Sequence, residues 1–563
     1  MSSHSSRASS ASAQPRRHII KACEGCRHQK IKCNGGSPCE RCARLSLPCT
    51  VRTIARKRRR ETQTPPKRPT QSENDSDLLR LALRPVRVTD ATGKATVYGP
   101  TSTVALLQLL SSQSNVSLDV QPHLAISDLS PGGLRYPLQM PFQAYNPPPT
   151  LGLSLTPPLC LSTIPSQVLQ FFLNRYLGTA WAILPLQTPA QLTALFSSSC
   201  AAFSQNAPPP AMYPILLYQL AMGSLVTVQS ETADLLVQES ELFVSAGANL
   251  PEFFDLQLNY YRETGRFEKA YAMLGSVATK VFSSGMHLEP QSPEVASLMR
   301  SLLSAETFIC IALGRPPLLG PSMRASSENE PPSSTFLTGL FNILTPSLRA
   351  QQMQAGDLDE LWSTIWTAHA KLKAFWEEHA PPEDDASAVV DRRRIGENRA
   401  LKSGLYEYAI LTNLRPVLLY IGHKQAAASL DTGDGSALSP ASSATTATTT
   451  TTTTRTDGSS SHDENLAMAS ETILVAAKNI IANIAEVRQR GSLAKDLPMN
   501  SYFLETACLS LIAYGVWHKS PGAVRDSLDL GVRCLEHLRY QAIAAKRLET
   551  VNRVLEGSGL MGG

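Results

Sequence analysis

Six cysteines between Cys23 and Cys49 constrain this chain more than any other feature, because they repeat one spacing twice. The segment reads KACEGCRHQKIKCNGGSPCERCARLSLPCTVR, with Cys23, Cys26, Cys33, Cys39, Cys42 and Cys49 spaced C-x2-C-x6-C-x5-C-x2-C-x6-C. Each half is a C-x2-C pair followed by a third cysteine, so each half offers three thiolates, whereas a closed structural zinc site takes four. Six sulfurs fill the ligand positions of two ions if two of them bridge. By position the bridging pair is Cys23 and Cys39, the first cysteine of each half. One ion then takes Cys23, Cys26, Cys33 and Cys39; the other takes Cys39, Cys42, Cys49 and Cys23. Two Zn²⁺ and six thiolates carry a net charge of about −2. Arg27, Lys30, Lys32, Arg41 and Arg44 stand between the ligands to offset it. A segment this short buries no core of its own, so metal binding supplies its folding free energy. The expected cofactor is Zn²⁺, two ions per chain.

A disulfide knot is the competing use of these thiols, and it needs an oxidising compartment. The first twenty residues have no apolar h-region, and they also lack the apolar helical stripe of a transit peptide. The longest apolar candidate, Tyr502–Trp517, contains Glu505 and is too short to span a bilayer. The expectation is therefore a reducing interior, with no membrane partner. A metal-buffering peptide is disfavoured too, since it would not need ordered basic residues. The remaining cysteines, Cys160, Cys200, Cys310, Cys508 and Cys534, are scattered among apolar residues. Charge separates along the chain: residues 1–70 hold 17 Lys+Arg against 3 Asp+Glu, and the rest holds 35 against 44. Such a chain has a basic head for a polyanion and a mildly acidic body. The run Arg56, Lys57, Arg58, Arg59 and Arg60 suits both phosphate attraction and nuclear import, the bland alternative being a solvated charge run.

Residues 20–50, including Pro38 just before the fourth cysteine, resemble the Zn2Cys6 binuclear cluster of fungal transcription factors. The resemblance implies that each half is a short helix followed by an extended strand, and that the first helix enters the major groove to read a CGG triplet. It places the reading residues in Arg27-His28-Gln29-Lys30-Ile31-Lys32. Lys30 matches the family's base-contacting lysine, a donor suited to guanine N7 and O6. Arg27 and Lys32 suit phosphate contacts, which fix register without reading sequence. Gln29 stands where a basic residue is often found, so it implies a weaker or different contact. His28 is expected at the surface, since thiolates already complete the zinc coordination. Further on, VYGPTS (Val97–Ser102), FEKAYAMLGSVATKVFSSGMHLEP, ETFICIALGRPP and LRPVLLY follow the order of the fungal-specific regulatory domain, or middle homology region. Gly314-Arg315-Pro316-Pro317 and Arg415-Pro416 are its most recognisable pieces. Ala246–Arg262 is compact where the resemblance implies more helix. The whole implies a nuclear, sequence-specific regulator of RNA polymerase II transcription, with double-stranded DNA and the transcription machinery or co-regulators as partners. An activator is preferred; a repressor or a ligand-responsive regulator of a metabolic gene cluster is the alternative.

At 563 residues the chain is too long for one domain, and its 42% hydrophobic content suffices for a sizeable core. The expected class is mainly α: a small N-terminal cluster plus a large all-α regulatory domain, with disordered linkers. The expected order is a disordered tail 1–19, the cluster 20–50 and a basic linker 51–95. A helical regulatory domain 96–424 follows, then a disordered insertion 425–463 and a C-terminal helical part 464–563. Phe267, Ala270, Tyr271, Leu274, Val277, Ala278 and Val281 follow the spacing of one helical face. The stretches QVLQFFLNRYLGTAWAI, YPILLYQLAMGSLVTV and SYFLETACLSLIAYGVWHKS are also apolar at helical spacing. The insertion includes seven consecutive threonines, Thr448–Thr454, and reads as unable to fold. Leu78, Leu79, Leu81 and Leu83 precede Pro85 without sustained heptads, which argues against a coiled coil and leaves open monomeric binding or a homodimer through the helical body. No P-loop, nucleophile elbow, HExxH or post-strand GxGxxG occurs, so an enzyme is disfavoured. Acidic-apolar GDLDELWSTIW reads equally as an activation surface or as an ordinary amphipathic helix.

Overall fold

The computed structural model describes residues 22–36, 38–50, 71–89, 95–113, 163–182, 187–205, 207–227, 231–245, 251–285, 287–288, 293–319, 332–352, 358–380, 389–431, 458–491 and 493–560. The chain divides into two compact units, Met1–Thr70 and Gln71–Gly563. The first contains two one-turn helices, α1 (Glu24–His28) and α2 (Glu40–Arg44).

The described residues of the second unit are almost wholly helical. It opens with α3 (Gln71–Ala82), an antiparallel hairpin of β1 (Val86–Thr89) and β2 (Ala95–Tyr98) with Val86 opposite Tyr98, and α4 (Thr103–Gln113). Next come α5 (Ser166–Gly178), α6 (Pro189–Ser204), α7 (Tyr213–Leu225), α8 (Glu231–Ser245) and α9 (Pro251–Glu263). They are followed by α10 (Phe267–Ser283), α11 (Pro293–Leu313), α12 (Pro332–Gln352) and α13 (Leu358–His379). The series ends with α14 (Val389–Asp431), α15 (Gly458–Gln489), α16 (Pro498–Trp517), α17 (Arg525–Leu538) and α18 (Ala542–Ser558).

Periodicity decides how each helix sits. On α10 the residues Ala270, Leu274, Val277, Ala278 and Val281 are buried along one face, as an amphipathic stripe requires. In contrast, α16 is apolar all round and buried on nearly every side, at the centre of the largest hydrophobic cluster. Each fully buried Leu or Ile there contributes about 1.5–3 kcal/mol. Its apolar length thus serves a core. No helix among the described residues is long and apolar enough to cross a membrane. A second cluster joins α5 to α9, and a third packs α9 to α11 against Tyr98. Leu361, Trp362, Ile365 and Leu372 of α13 are buried, which makes the acidic-apolar stretch an ordinary core helix.

Residues 97–102, the turn at Gly314-Arg315 and Arg415 converge. The Gly99 N–H donates to the Leu313 carbonyl at 2.9 Å, and a Cβ on Gly99 would come within 2.0 Å of the Gly314 oxygen. Gly314 itself has φ +66°, a conformation glycine adopts without penalty. Arg315 forms a two-point ion pair with Glu268 at 2.7 and 2.8 Å and donates to the Val97 carbonyl at 3.1 Å. Buried Arg415 donates to the Thr101 carbonyl at 2.5 Å, while Thr101 Oγ1 donates to that of Ile311 at 2.9 Å. Buried Glu306 accepts the Leu318 and Leu319 N–H groups at 2.5 and 2.6 Å, fastening the turn after Gly314 to α11. Burial pushes its carboxyl up to about 7.

Four differences from the sequence reading have physical causes. Residues 71–95, read as linker, belong to the second unit, because Leu79, Ala82 and Leu83 are buried in its main cluster. The expected all-α body includes the β1–β2 hairpin, whose strands are only four residues each and give little period-two signal. Within Ala246–Arg262, residues from Pro251 onward are helical and bury Leu256, Leu258 and Tyr260. The insertion read as 425–463 is helical at both margins: α14 runs to Asp431 and α15 starts at Gly458, with Lys424 Nζ 3.4 Å from Asp463 Oδ1. Gln425 and the alanines after it are good helix formers and extend a helix already anchored in the core. The threonine run, the tail 1–19 and Cys160 lie outside the described residues.

Candidate metal centre and nucleic-acid interface

The first unit is a repeat in structure as well as spacing. Cys23 and Cys39 are extended residues that open α1 and α2 (ψ 157° and 151°). Each helix ends after one turn in a left-handed residue, Lys30 (φ 52°) and Ser46 (φ 49°). Behind these, Ile31 N–H donates to the Cys26 carbonyl and Leu47 N–H to that of Cys42, both at 2.9 Å. This is a helix-ending pattern that turns the chain back sharply. The Glu24 N–H donates to the Thr50 carbonyl at 2.9 Å, tying the start of the cysteine repeat to its end.

All six sulfurs meet inside. They fall into two groups of four, Cys23, Cys26, Cys33, Cys39 and Cys23, Cys39, Cys42, Cys49, each with its ligand atoms within 4.8 Å of one another. The two groups share Cys23 and Cys39. Sulfur–sulfur separations are 3.6 Å for Cys23–Cys39, 3.8 Å for Cys23–Cys42 and 3.7 Å for Cys26–Cys39. Zn–S bonds of about 2.3 Å in a tetrahedron set sulfurs about 3.8 Å apart, whereas a disulfide needs about 2.05 Å. The donor set therefore fits zinc. Both shared thiols are shifted toward the thiolate: the Cys42 backbone N–H lowers the Cys39 thiol to about 6, and the Cys26 N–H lowers that of Cys23. Burial instead raises Cys26 to about 11.

The residues expected at DNA are exposed but only partly helical. Arg27 lies on α1, Gln29 caps it, and Lys30 and Lys32 follow the helix end. Gln29 Oε1 accepts from Arg41 Nη2 at 2.7 Å, so this side chain joins the two halves. Sequence reasoning missed that contact, and it missed Asn34, whose Oδ1 accepts the Glu40 N–H at 3.1 Å at the start of α2. The Asn-Gly-Gly turn, with Gly35 at φ 75°, was the available signal. Arg56, Lys57, Arg58, Arg59 and Arg60 lie outside the described residues.

Residues 21–59 match the family model for the fungal Zn(2)-Cys(6) binuclear cluster domain. The chain carries a zinc-binding domain of that family. Its similar relatives include the thiamine repressible genes regulatory protein thi1 of Schizosaccharomyces pombe, 50% identical over 36 residues, which are 6% of this chain and 5% of that protein. Transcription factor PDR1 of Saccharomyces cerevisiae is 50% identical over 40 residues, 7% of this chain and 4% of that one. The quinic acid utilization activator of Emericella nidulans is 48% identical over 44 residues, 8% and 5% of the two chains. The matched stretches thus span about a twentieth of these relatives' lengths. No solved structure matches the chain.

Proposed function

We propose that this protein is a zinc-dependent, sequence-specific DNA-binding regulator of RNA polymerase II transcription, acting in the nucleus. The observation that carries the reading is the pair of four-sulfur groups that share Cys23 and Cys39. In this reading two Zn²⁺ ions are held, with Cys26 and Cys33 completing one site and Cys42 and Cys49 the other. Zinc supplies cross-links that hold two one-turn helices no apolar core would hold. Lys30 then addresses the base edges of a CGG-type triplet in the major groove, while Arg27 and Lys32 take phosphates. Gln29 is given a bracing role through Arg41 rather than a DNA contact. The basic run Arg56–Arg60 adds phosphate attraction and an import signal. The helical body is read as a middle homology regulatory region that engages co-regulators or a second copy of the chain, with activation as the direction.

Metal analysis and gel shift of the full chain test this directly. Two zinc ions per chain are expected, with binding to a CGG-containing duplex that a chelator abolishes and added zinc restores. Selective binding that survives complete metal removal sinks the reading.

A further inference from the structure

Two cavities flank the bend between α3 and β1, and Pro85 lines both. The larger, about 920 Å³, carries Arg349 and Glu360 at its mouth, while its Arg315 is already held by Glu268. Its free charges balance, so it selects no charge. The smaller, about 450 Å³, is different. Arg84 and Arg87 both line it, and no acidic residue among the described residues does. Neither guanidinium has an ion-pair, hydrogen-bond or ring partner among the described residues. Beneath them Ala82, Ala105, Leu109 and Leu419 form an apolar floor from three separate helices. Gln108 and Ser112 of α4 stand at the edge, where Ser112 is exposed and donates only to the Leu109 carbonyl.

We propose that this cavity binds a small organic anion, a carboxylate or phosphate monoester head on a short apolar body. Two arginines with no ion-pair partner among the described residues suit such a head, since a guanidinium presents a planar fork of donors to a carboxylate or phosphate. The apolar floor takes the body, in a volume typical of small-molecule sites. The ligand would join α3 and β1 to α4 and α14, segments that meet only in the folded body. This site is independent of the zinc centre, so its test does not require DNA.

Titration of the zinc-loaded full chain with hexanoate, hexyl phosphate, hexanol and inorganic phosphate, followed calorimetrically, tests the proposal. One saturable site for hexanoate or hexyl phosphate is expected, and whichever binds tighter identifies the head group. Hexanol and inorganic phosphate should bind at least tenfold more weakly, because each lacks one of the two recognised parts. The R84Q/R87Q double variant changes only exposed side chains and should lose about tenfold or more in affinity for the anion. S112W, also at an exposed position, should block the body and abolish binding without lowering the melting temperature. Equal binding of hexanol, or an unchanged affinity in R84Q/R87Q, overturns the proposal. So does a double variant that weakens DNA binding and its salt dependence while leaving hexanoate affinity intact, for the arginines are then phosphate contacts.

Discussion

Lys30 unites two demands that a substitution can separate. Its left-handed backbone ends α1 and turns the chain toward Cys33, and its side chain is the proposed reader of guanine. A non-glycine residue in that conformation costs about 1–2 kcal/mol. Lys30→Ala keeps the backbone cost and removes the amine; Lys30→Gly removes both. Each should lose about 1–3 kcal/mol for a CGG duplex relative to a scrambled one in parallel titrations. Only the glycine variant should raise the stability of the zinc-loaded unit, by about 1 kcal/mol. Equal weakening on both duplexes would make Lys30 a phosphate contact instead. The sulfur set was legible at this scale because ligand count and spacing are properties of the sequence. The Gln29–Arg41 bond was not, since its partners come from different halves and meet only once the metal-centred fold exists.

Elements depend on contacts that a single glycine or carboxylate controls. Gly99→Ala drives a methyl into the Gly314 carbonyl, backbone against backbone, and should destabilise the body by about 2–3 kcal/mol. Gly275→Ala, inside α10 with nothing within 4 Å of the new methyl, should stabilise it by about 0.5–1 kcal/mol. Chemical denaturation of the two variants compares them, and similar losses from both would count against this packing. Glu306 adds a pH dependence. Unfolded, its carboxyl loses a proton near 4.5; folded, burial holds the proton until about 7. The folded state therefore binds more protons between those values, and stability falls as pH rises from about 4.5 to 7. Glu407, also raised to about 7 by burial, acts in the same sense. Glu306→Gln keeps an oxygen for the Leu318 and Leu319 N–H groups and deletes the titration. Melting temperatures across that window should fall less steeply than in the parent and be higher at pH 8; an unaltered slope would exclude the role. Helices such as α10 and α16 were legible because burial follows apolar spacing. The β1–β2 hairpin was not, because its four-residue strands carry little period-two signal, nor were the helical margins at 425–431 and 458–463, which continue helices nucleated in the core although their own composition buries little.

On the scale of the molecule, two different forces maintain order. Gln71–Gly563 is held by hydrophobic clusters that run through α3 to α18, and none of its described residues belongs to either four-sulfur group. In the other unit, the only buried hydrophobic residues described are the cysteines themselves. Removing the metal should therefore act on one unit alone. Without zinc, the six thiols lose the cross-links that oppose the chain entropy of α1 and α2, while the apolar burial of the body is untouched. Far-ultraviolet dichroism of the full chain should change little on chelation, because two one-turn helices contribute little to the signal. The thermal transition of the body should stay within a degree or two of its zinc-loaded value. Selective DNA binding should vanish in the same sample, and proteolysis should open first between residues 22 and 50. A body transition that falls by about 5 °C or more on chelation would show that metal also supports the helical unit and that the two units do not rely on separate forces.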